Sequence, residues 1–446
     1  MKGRVRRVLT SVTLIVSVAM IARIGFAWDQ ARKVPPGVLG IVAFQQEAGN
    51  IGAALAEGRG FSDVFRTGTG ATAWLAPVYP LMVAAIFKVF GVFTARAFFA
   101  ACFLNIVFSS LACLPIFYAG KRIAGLGVAR GAAWLWALFP NAILVPFEWI
   151  WDTSLSALLA ATLLWGTLAL ANSKRRRDWC AYGVLWGFAL LTNPALGALL
   201  PLLLGWAIYR GQGEAGQRWQ RATHALGLAI LCCIPWTARN YRAFHRWVPL
   251  RSNLPFELWL GNNSIFDEHA QGGRRAITRT EEARRYTQIG ETAYMQEKWS
   301  MAISFIGSNP RLELRLTGRR FLDFWMGTDS PVRNFIDTHS WLIRTILLCS
   351  FLSAVGAVVG ILVLWMRGVA GTLALAAFPL VFPWIYYVTH ADLRYRHPID
   401  PVVLLLMAAI WGRASQRAKA STLQSEPETA GFLDGGPQCR TITTRT

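Results

Sequence analysis

Residues 341–365 read WLIRTILLCSFLSAVGAVVGILVLW, an apolar run with Arg344 as its one charge. A helix needs about 20 mostly apolar residues to cross a bilayer, so this stretch predicts a membrane span. Working outward, the same test predicts nine more: Val8–Ala27, Ala97–Ala119, Val128–Phe147, Thr153–Ala171, Trp179–Asn193, Ala195–Tyr209, Ala222–Ala238, Val369–Thr389 and Pro398–Trp411. Asn193-Pro194 marks a turn between two of them, because a helix tends to stop before proline. The expected fold class is an all-α polytopic membrane protein of about ten transmembrane helices, with an interfacial helix and a mixed, partly helical external loop.

Composition agrees. The chain has 446 residues, 54% apolar and 15% charged, where a soluble chain carries roughly 25% charged. That excludes disorder, a coiled coil and a small secreted module. The seven cysteines are odd in number and mostly sit in apolar runs, so neither a disulfide framework nor a CxxC metal pair is read. No Gly-rich phosphate loop, His-Glu-x-x-His, Gly-x-Ser-x-Gly or Cys/His zinc spacing occurs.

The net charge of +21 raises the question of nucleic acid. Orientation answers it. Lys2, Arg4, Arg6 and Arg7 precede the first run as in a signal peptide. The run is long, contains Arg23 and lacks a small-residue cleavage pattern, so it reads as an uncleaved span with a cytoplasmic N-terminus. Pro77–Phe93 reads as an interfacial helix, because short cytoplasmic loops should then be basic throughout. With that choice residues 1–7, 120–130, 172–179, 210–222, 366–368 and 412–446 are cytoplasmic, and they hold 20 Lys or Arg against five acids. Most of the charge is a topology signal, and no nucleic-acid partner is expected. The expected domains are an N-terminal transmembrane catalytic module 1–238 with a first external loop 28–96, an external loop domain 239–340, transmembrane helices 341–411 and a disordered cytoplasmic tail 412–446.

Three external places carry candidate chemistry, since burying acids near a membrane is costly. Glu47 follows the first span; it is either a helix-start acid complementing the macrodipole or a catalytic carboxylate. Asp152, in the turn 148–156, either caps the next helix or takes part in catalysis. The stretch 390–398, HADLRYRHP, gathers His390, Asp392, Arg394, Tyr395, Arg396 and His397. It suits a lipid phosphate, given the planar donor fork of arginine; snorkelling to headgroups is the competing reading.

These features recur together with a helix that begins Pro77-Val78-Tyr79-Pro80 and ends in Phe87-Lys88-Val89-Phe90-Gly91, and with the stretch Pro235-Trp236-Thr237-Ala238-Arg239-Asn240-Tyr241. In that combination the chain resembles the C-superfamily membrane glycosyltransferases, family 39-type, in the branch of protein O-mannosyltransferases and bacterial aminoarabinose lipid A transferases. The resemblance implies a polyprenyl-phosphate sugar donor, a protein or lipid/glycan acceptor, membrane lipids as surroundings, and inverting hexosyl or pentosyl transfer. It implies an external, periplasmic site in a bacterial inner membrane with both termini cytoplasmic. Many members carry an Asp-Glu pair where this chain has Gln46-Glu47. Carried over residue by residue, it makes Glu47 and Asp152 catalytic, and the holders of a divalent metal ion if one is present. Arg394, Arg396, Lys88, His390 and Tyr395 fall to the donor phosphate, and Tyr79, Arg239, Asn240 and Asn262 to the acceptor or pocket. The rival class is a polytopic transporter or lipid flippase for a phosphorylated lipid or glycolipid.

Overall fold

The computed structural model describes residues 11–35, 38, 44, 46–66, 68–263, 280–327 and 340–412. The tail expected to be disordered therefore lies outside the described residues.

The chain begins with α1 (Val12–Ala31), then α2 (Glu47–Ala56), α3 (Val78–Phe90), α4 (Ala95–Leu111) and α5 (Cys113–Leu138). It continues through α6 (Pro140–Glu148), α7 (Thr153–Leu170), α8 (Arg176–Leu190), a 3-10 turn at Pro194–Leu199, α9 (Leu200–Arg210) and α10 (Ala215–Phe244). The long loop holds α11 (Leu254–Gly261), α12 (Thr280–Ile289), α13 (Glu291–Ser308) and α14 (Pro310–Met326). The C-terminal part comprises α15 (Trp341–Met366), α16 (Thr372–Val381), α17 (Trp384–Val388), the short α18 (Leu393–Arg396) and α19 (Asp400–Ala409). Among the described residues the only β pairing is an isolated bridge between Ser62 and Ala71.

Among the described residues, four helical stretches are long and apolar enough to cross a membrane: Val12–Ala31, Ala95–Leu138, Thr153–Leu170 and Trp341–Met366. Several other predicted spans are broken into shorter pieces, and proline explains the breaks. The run 128–147 divides at Pro140, which opens α6. The run 369–389 divides at Pro383, which precedes α17. Pro194 opens the 3-10 turn, and the Asn193 side chain accepts from the Ala195 N–H there. Lacking an N–H, proline is favoured at such first positions, although Pro146, Pro235 and Pro379 lie inside α6, α10 and α16. The reversal expected in residues 120–130 falls at Ala124 and Gly125, inside α5, where Gly125 takes φ 84°. That is a left-handed conformation favouring glycine.

Within residues 77–93, expected to lie at the interface, the structure forms one helix, α3. α3 buries Tyr79, Val83 and Phe87 against the rest of the chain and leaves Leu81, Val89 and Phe90 exposed. α15 and α10 also expose apolar side chains, among them Val358, Leu362, Ile230 and Leu231. Apolar patches of this kind suit lipid rather than water.

Tight helix pairs hold the bundle. A Cβ on Gly360 of α15 would strike the Leu406 carbonyl of α19, so only glycine allows this approach. Arg23 of α1 is fully buried, and its environment explains why. Pro140 offers no N–H to the Trp136 carbonyl one turn earlier. The Arg23 guanidinium donates instead to Trp136 O at 3.2 Å and Ala137 O at 3.0 Å, and also to Ser109 Oγ at 2.9 Å. A buried arginine thus closes the open end of α5, where Trp136 O otherwise accepts only the 3.4 Å bond from the Phe139 N–H.

The long loop is tied to the segment between α2 and α3 by Glu291. Its carboxylate accepts from Thr72 Oγ1 at 2.5 Å, Ala73 N at 2.8 Å, Ser252 Oγ at 2.6 Å and Tyr286 Oη at 2.7 Å. Four donors on one buried carboxylate compensate the loss of its hydration.

Candidate functional site

Local structure first brings Asp152 into place. It stands at the N-cap of α7 but makes no side-chain cap bond. Its carboxylate instead accepts from Ser156 Oγ at 3.0 Å, one turn into the helix. Ser156 Oγ in turn accepts from Asn193 Nδ2 at 3.3 Å. Helix start and following turn therefore hold the group from behind, and its free side meets a cavity. Loss of water there pushes the Asp152 carboxyl up to about 6, opposed by the Ser156 bond and by Arg251 and Arg394.

That cavity measures about 600 Å³ and takes its walls from every segment expected outside: Glu47, Asn50 and Arg66 from the first loop, Trp151 and Asp152 from the second turn, Asn193 from the third. The long loop adds Arg251, Asn253 and Glu257; the last turn adds His390, Arg394 and Tyr395. Glu47 opens α2, where a carboxylate is favoured by the helix dipole. Both readings of this residue are thus compatible.

Arg394 occupies an aromatic shelf. Its guanidinium carbon lies 4.5 Å from the Trp149 ring centre and 4.7 Å from that of Tyr395, and it donates to Tyr395 Oη at 2.7 Å. Such stacking holds a planar cation in place, and the Asp392 carboxylate lies 3.9 Å from its Nε. Tyr395 stacks on Tyr386 with centroids 4.9 Å apart, and its hydroxyl meets His390 Nε2 at 2.8 Å. His390 Nδ1 stands 3.6 Å from Glu257 Oε2. Glu257 remains 25% exposed. Desolvation still pushes it up to about 7, with Glu47 adding to the rise and Arg251, Arg394 and Asn253 opposing it.

The structure thus brings Glu47, Asp152, Arg394, His390 and Tyr395 together. Other expected site residues lie elsewhere. Arg396 is fully buried and points into the bundle, where it donates to Asp400 Oδ1 at 2.6 Å, Trp325 O, Ser350 O and Ser353 Oγ. It is a core tie and does not face the cavity. Lys88 is exposed in the last turn of α3 and is absent from the cavity wall. Tyr79 stands one layer back: it donates to Asn105 Oδ1, whose amide donates to the Trp149 carbonyl. Arg239 donates to Thr72 O and Phe61 O, fastening the end of α10 to the first loop. Asn240 donates to Val248 O at 3.0 Å, and Asn262 to Leu258 O and Val388 O. These last four support the walls.

Arg251, Asn253 and Glu257 were missed. The signal available was one acid, Glu257, on the otherwise apolar helix Leu254–Gly261. Glu47 and Asp152 would be the carboxylates to take a divalent ion. Among the described residues, no three His, Cys, Asp or Glu side chains are grouped to hold a metal. The donor set does not fit a bound ion.

Residues 75–238, from the approach to α3 through most of α10, match the family model for dolichyl-phosphate-mannose-protein mannosyltransferase. The match includes Asp152 and Asn193 of the cavity. Among solved structures, the chain is similar to the Archaeoglobus fulgidus oligosaccharyltransferase in its apo form, with 12% identity over 93% of this chain and 53% of that one, and a TM-score of 0.52. It also aligns with the Archaeoglobus fulgidus enzyme AglB in complex with an inhibitory peptide and a dolichol-phosphate, with 12% identity, 95% and 52% coverage and a TM-score of 0.49. The chain spans about half the length of these structures. The first likeness shows the fold. No match was found among curated proteins.

Proposed function

We propose that this chain is an integral-membrane glycosyltransferase that moves a sugar from a polyprenyl-phosphate donor to a protein, lipid or glycan acceptor on the outer face of a membrane, with inversion. One observation carries the reading. Two carboxylates, Glu47 and Asp152, and a stacked arginine, Arg394, line one cavity of about 600 Å³. The family match over residues 75–238 and the fold likeness support it from a separate direction.

The chemistry follows from the wall. The acceptor oxygen or nitrogen attacks the anomeric carbon from the side away from the phosphate. The new bond forms as the bond to the phosphate oxygen breaks, and the lipid phosphate leaves as the anion. Glu47 takes the acceptor proton. Asp152, fixed by Ser156, orients the acceptor and ionises in the range where an acid-base group works best. Arg394 and Arg251 face the same space, and their charges meet the phosphate as its negative charge grows. The leaving group needs no proton, so one base suffices. With the outer loops around the cavity, both termini would be cytoplasmic and about ten helices would cross the membrane.

The transporter reading finds less support. Arg23 is occupied with helix carbonyls and Arg396 with Asp400, so neither offers a midplane binding site.

The test is transfer from a polyprenyl-phosphate sugar by the purified protein in lipid nanodiscs. Glu47→Gln should lower turnover by about a hundredfold or more with unchanged thermal unfolding. Full activity in both Glu47→Gln and Asp152→Asn would sink the assignment.

A further inference from the structure

The cavity holds more polar groups than one transfer step needs. Glu257 is the clearest surplus: the steps above leave it idle, although its carboxylate faces the cavity. Its neighbours form a line. Glu257 Oε2 lies 3.6 Å from His390 Nδ1, His390 Nε2 lies 2.8 Å from Tyr395 Oη, and Tyr395 Oη receives a hydrogen bond from Arg394 Nη2 at 2.7 Å.

Proton positions along the line are constrained. Tyr395 Oη already accepts from Arg394, which cannot give up its charge. The tyrosine's one proton is then available to His390 Nε2. A neutral ring accepting at Nε2 carries its proton at Nδ1, on the side of Glu257. A carboxylate at that side favours this tautomer and ring orientation, as an outer acid does for a metal-binding or catalytic imidazole.

The two ends belong to different parts of the chain and are locked together. A Cβ on Gly261, at the end of α11, would strike the Thr389 carbonyl, so the two backbones touch. Arg320 donates to Asn262 Oδ1 at 3.0 Å and Val388 O at 3.1 Å, and to Gly261 O. Helix α11 and residues 387–389 thus share one anchor. The second oxygen of Glu257 accepts from Asn253 Nδ2 at 2.6 Å, which fixes the carboxylate itself.

We propose that Glu257 is a positioning residue for the donor site: through His390 and Tyr395 it sets the guanidinium of Arg394 for the lipid phosphate. This rests on the glycosyltransferase reading above. It makes the long external loop part of the donor site as well as a wall for the acceptor.

The experiment measures polyprenyl phosphate binding and donor and acceptor KM in nanodiscs, for the wild type, Glu257→Gln, Glu257→Asp, Tyr395→Phe and the Glu257→Gln/Tyr395→Phe double variant. Glu257→Gln should raise the donor KM and weaken polyprenyl phosphate binding about tenfold, with acceptor KM unchanged and thermal unfolding not lowered. Glu257→Asp should recover part of the loss. The double variant should be little worse than either single one, because both cut the same line. The groups facing Glu257 are Glu47 from α2, Arg251 and Asn253 before α11, Tyr386 from α17, and His390 and Arg394 from the last turn. Wild-type donor KM should therefore fall as pH rises through about 7 and Glu257 ionises, while the Gln variant stays flat. Unchanged donor binding in Glu257→Gln, or additive losses in the double variant, overturns the proposal. Arg394→Ala separates the two readings. If it abolishes phosphate binding while Glu257→Gln does not weaken it, only the line falls; if Arg394→Ala binds polyprenyl phosphate normally, the donor-site reading falls with it.

Discussion

The arginines at the two ends of α7 do different work. At its start, Arg394 rests on aromatic faces beside the Asp152 carboxylate. Beyond its far end, Arg221 donates to Ser173 O at 3.1 Å and Gln212 O at 2.8 Å, while Arg122 reaches Leu168 O. Nearby, Arg218 donates to Ile208 O and Tyr209 O, and Arg367 to Ala409 O and Ile410 O. These are carbonyls at or near the ends of α7, α9 and α19, which have no helical partner and carry the negative end of the dipole. So the basic residues that mark one side by charge also cap helices there. On the cavity side, Arg394 rests on aromatic rings with Asp392 3.9 Å from its Nε, and its guanidinium lines the cavity. The same residue type is a structural cap at one end and a charged tool at the other, and its partners tell the two apart.

The contrast makes predictions in falling order of effect. Arg394→Ala should lower transfer by about 10²-fold or more, since it removes a cation facing the leaving phosphate, with little change in thermal unfolding; a loss below tenfold would break the comparison. Asp152→Asn should lose activity yet gain stability. The folded carboxyl titrates near 6, above its ordinary value near 3.8. A carboxyl raised in this way favours the fold while protonated, and that contribution is lost as pH rises through about 6. The Asn variant should therefore unfold at a higher temperature than wild type above pH 6, by about 1–3 kcal/mol, with no gain below pH 4. Wild-type turnover should rise through the same window and that of the Asn variant should not. At the far end, Arg221→Ala should cost about 1–2 kcal/mol in unfolding experiments and leave turnover per folded molecule unchanged. Smallest of all, Lys88→Ala should change donor KM less than twofold, because the exposed amine stands off the cavity wall.

Some of this was legible in the sequence and some was not. Glu47, Asp152 and the stretch from His390 to Tyr395 stood out because acids are costly near a membrane and because orientation needs basic residues only in the turns expected to be cytoplasmic. Arg396 shows where that reasoning stops. It stands two residues from Arg394, and positions i and i+2 of a helical turn point to different sides. Composition placed both in one cluster; backbone geometry sent one to the cavity and one to the core. Glu257 and Arg251 were hidden for another reason. The long loop mixes charges of both signs, so no single charge is conspicuous until folding places it. The proline breaks were legible as residues, but not the kinked pieces they leave.

Arg23 carries a consequence for how the protein is made. Its acceptors at Trp136 and Ala137 lie 113 and 114 residues further along the chain. A ribosome delivers α1 long before those carbonyls exist. Until α5 arrives, the guanidinium has to stay at the lipid–water boundary or share the insertion machinery's water, because an isolated charge at the bilayer centre is costly. The first helix is therefore seated late although it is synthesised early. Nascent chains cut before residue 136 should hold α1 loosely, and chains cut after α6 should hold it firmly.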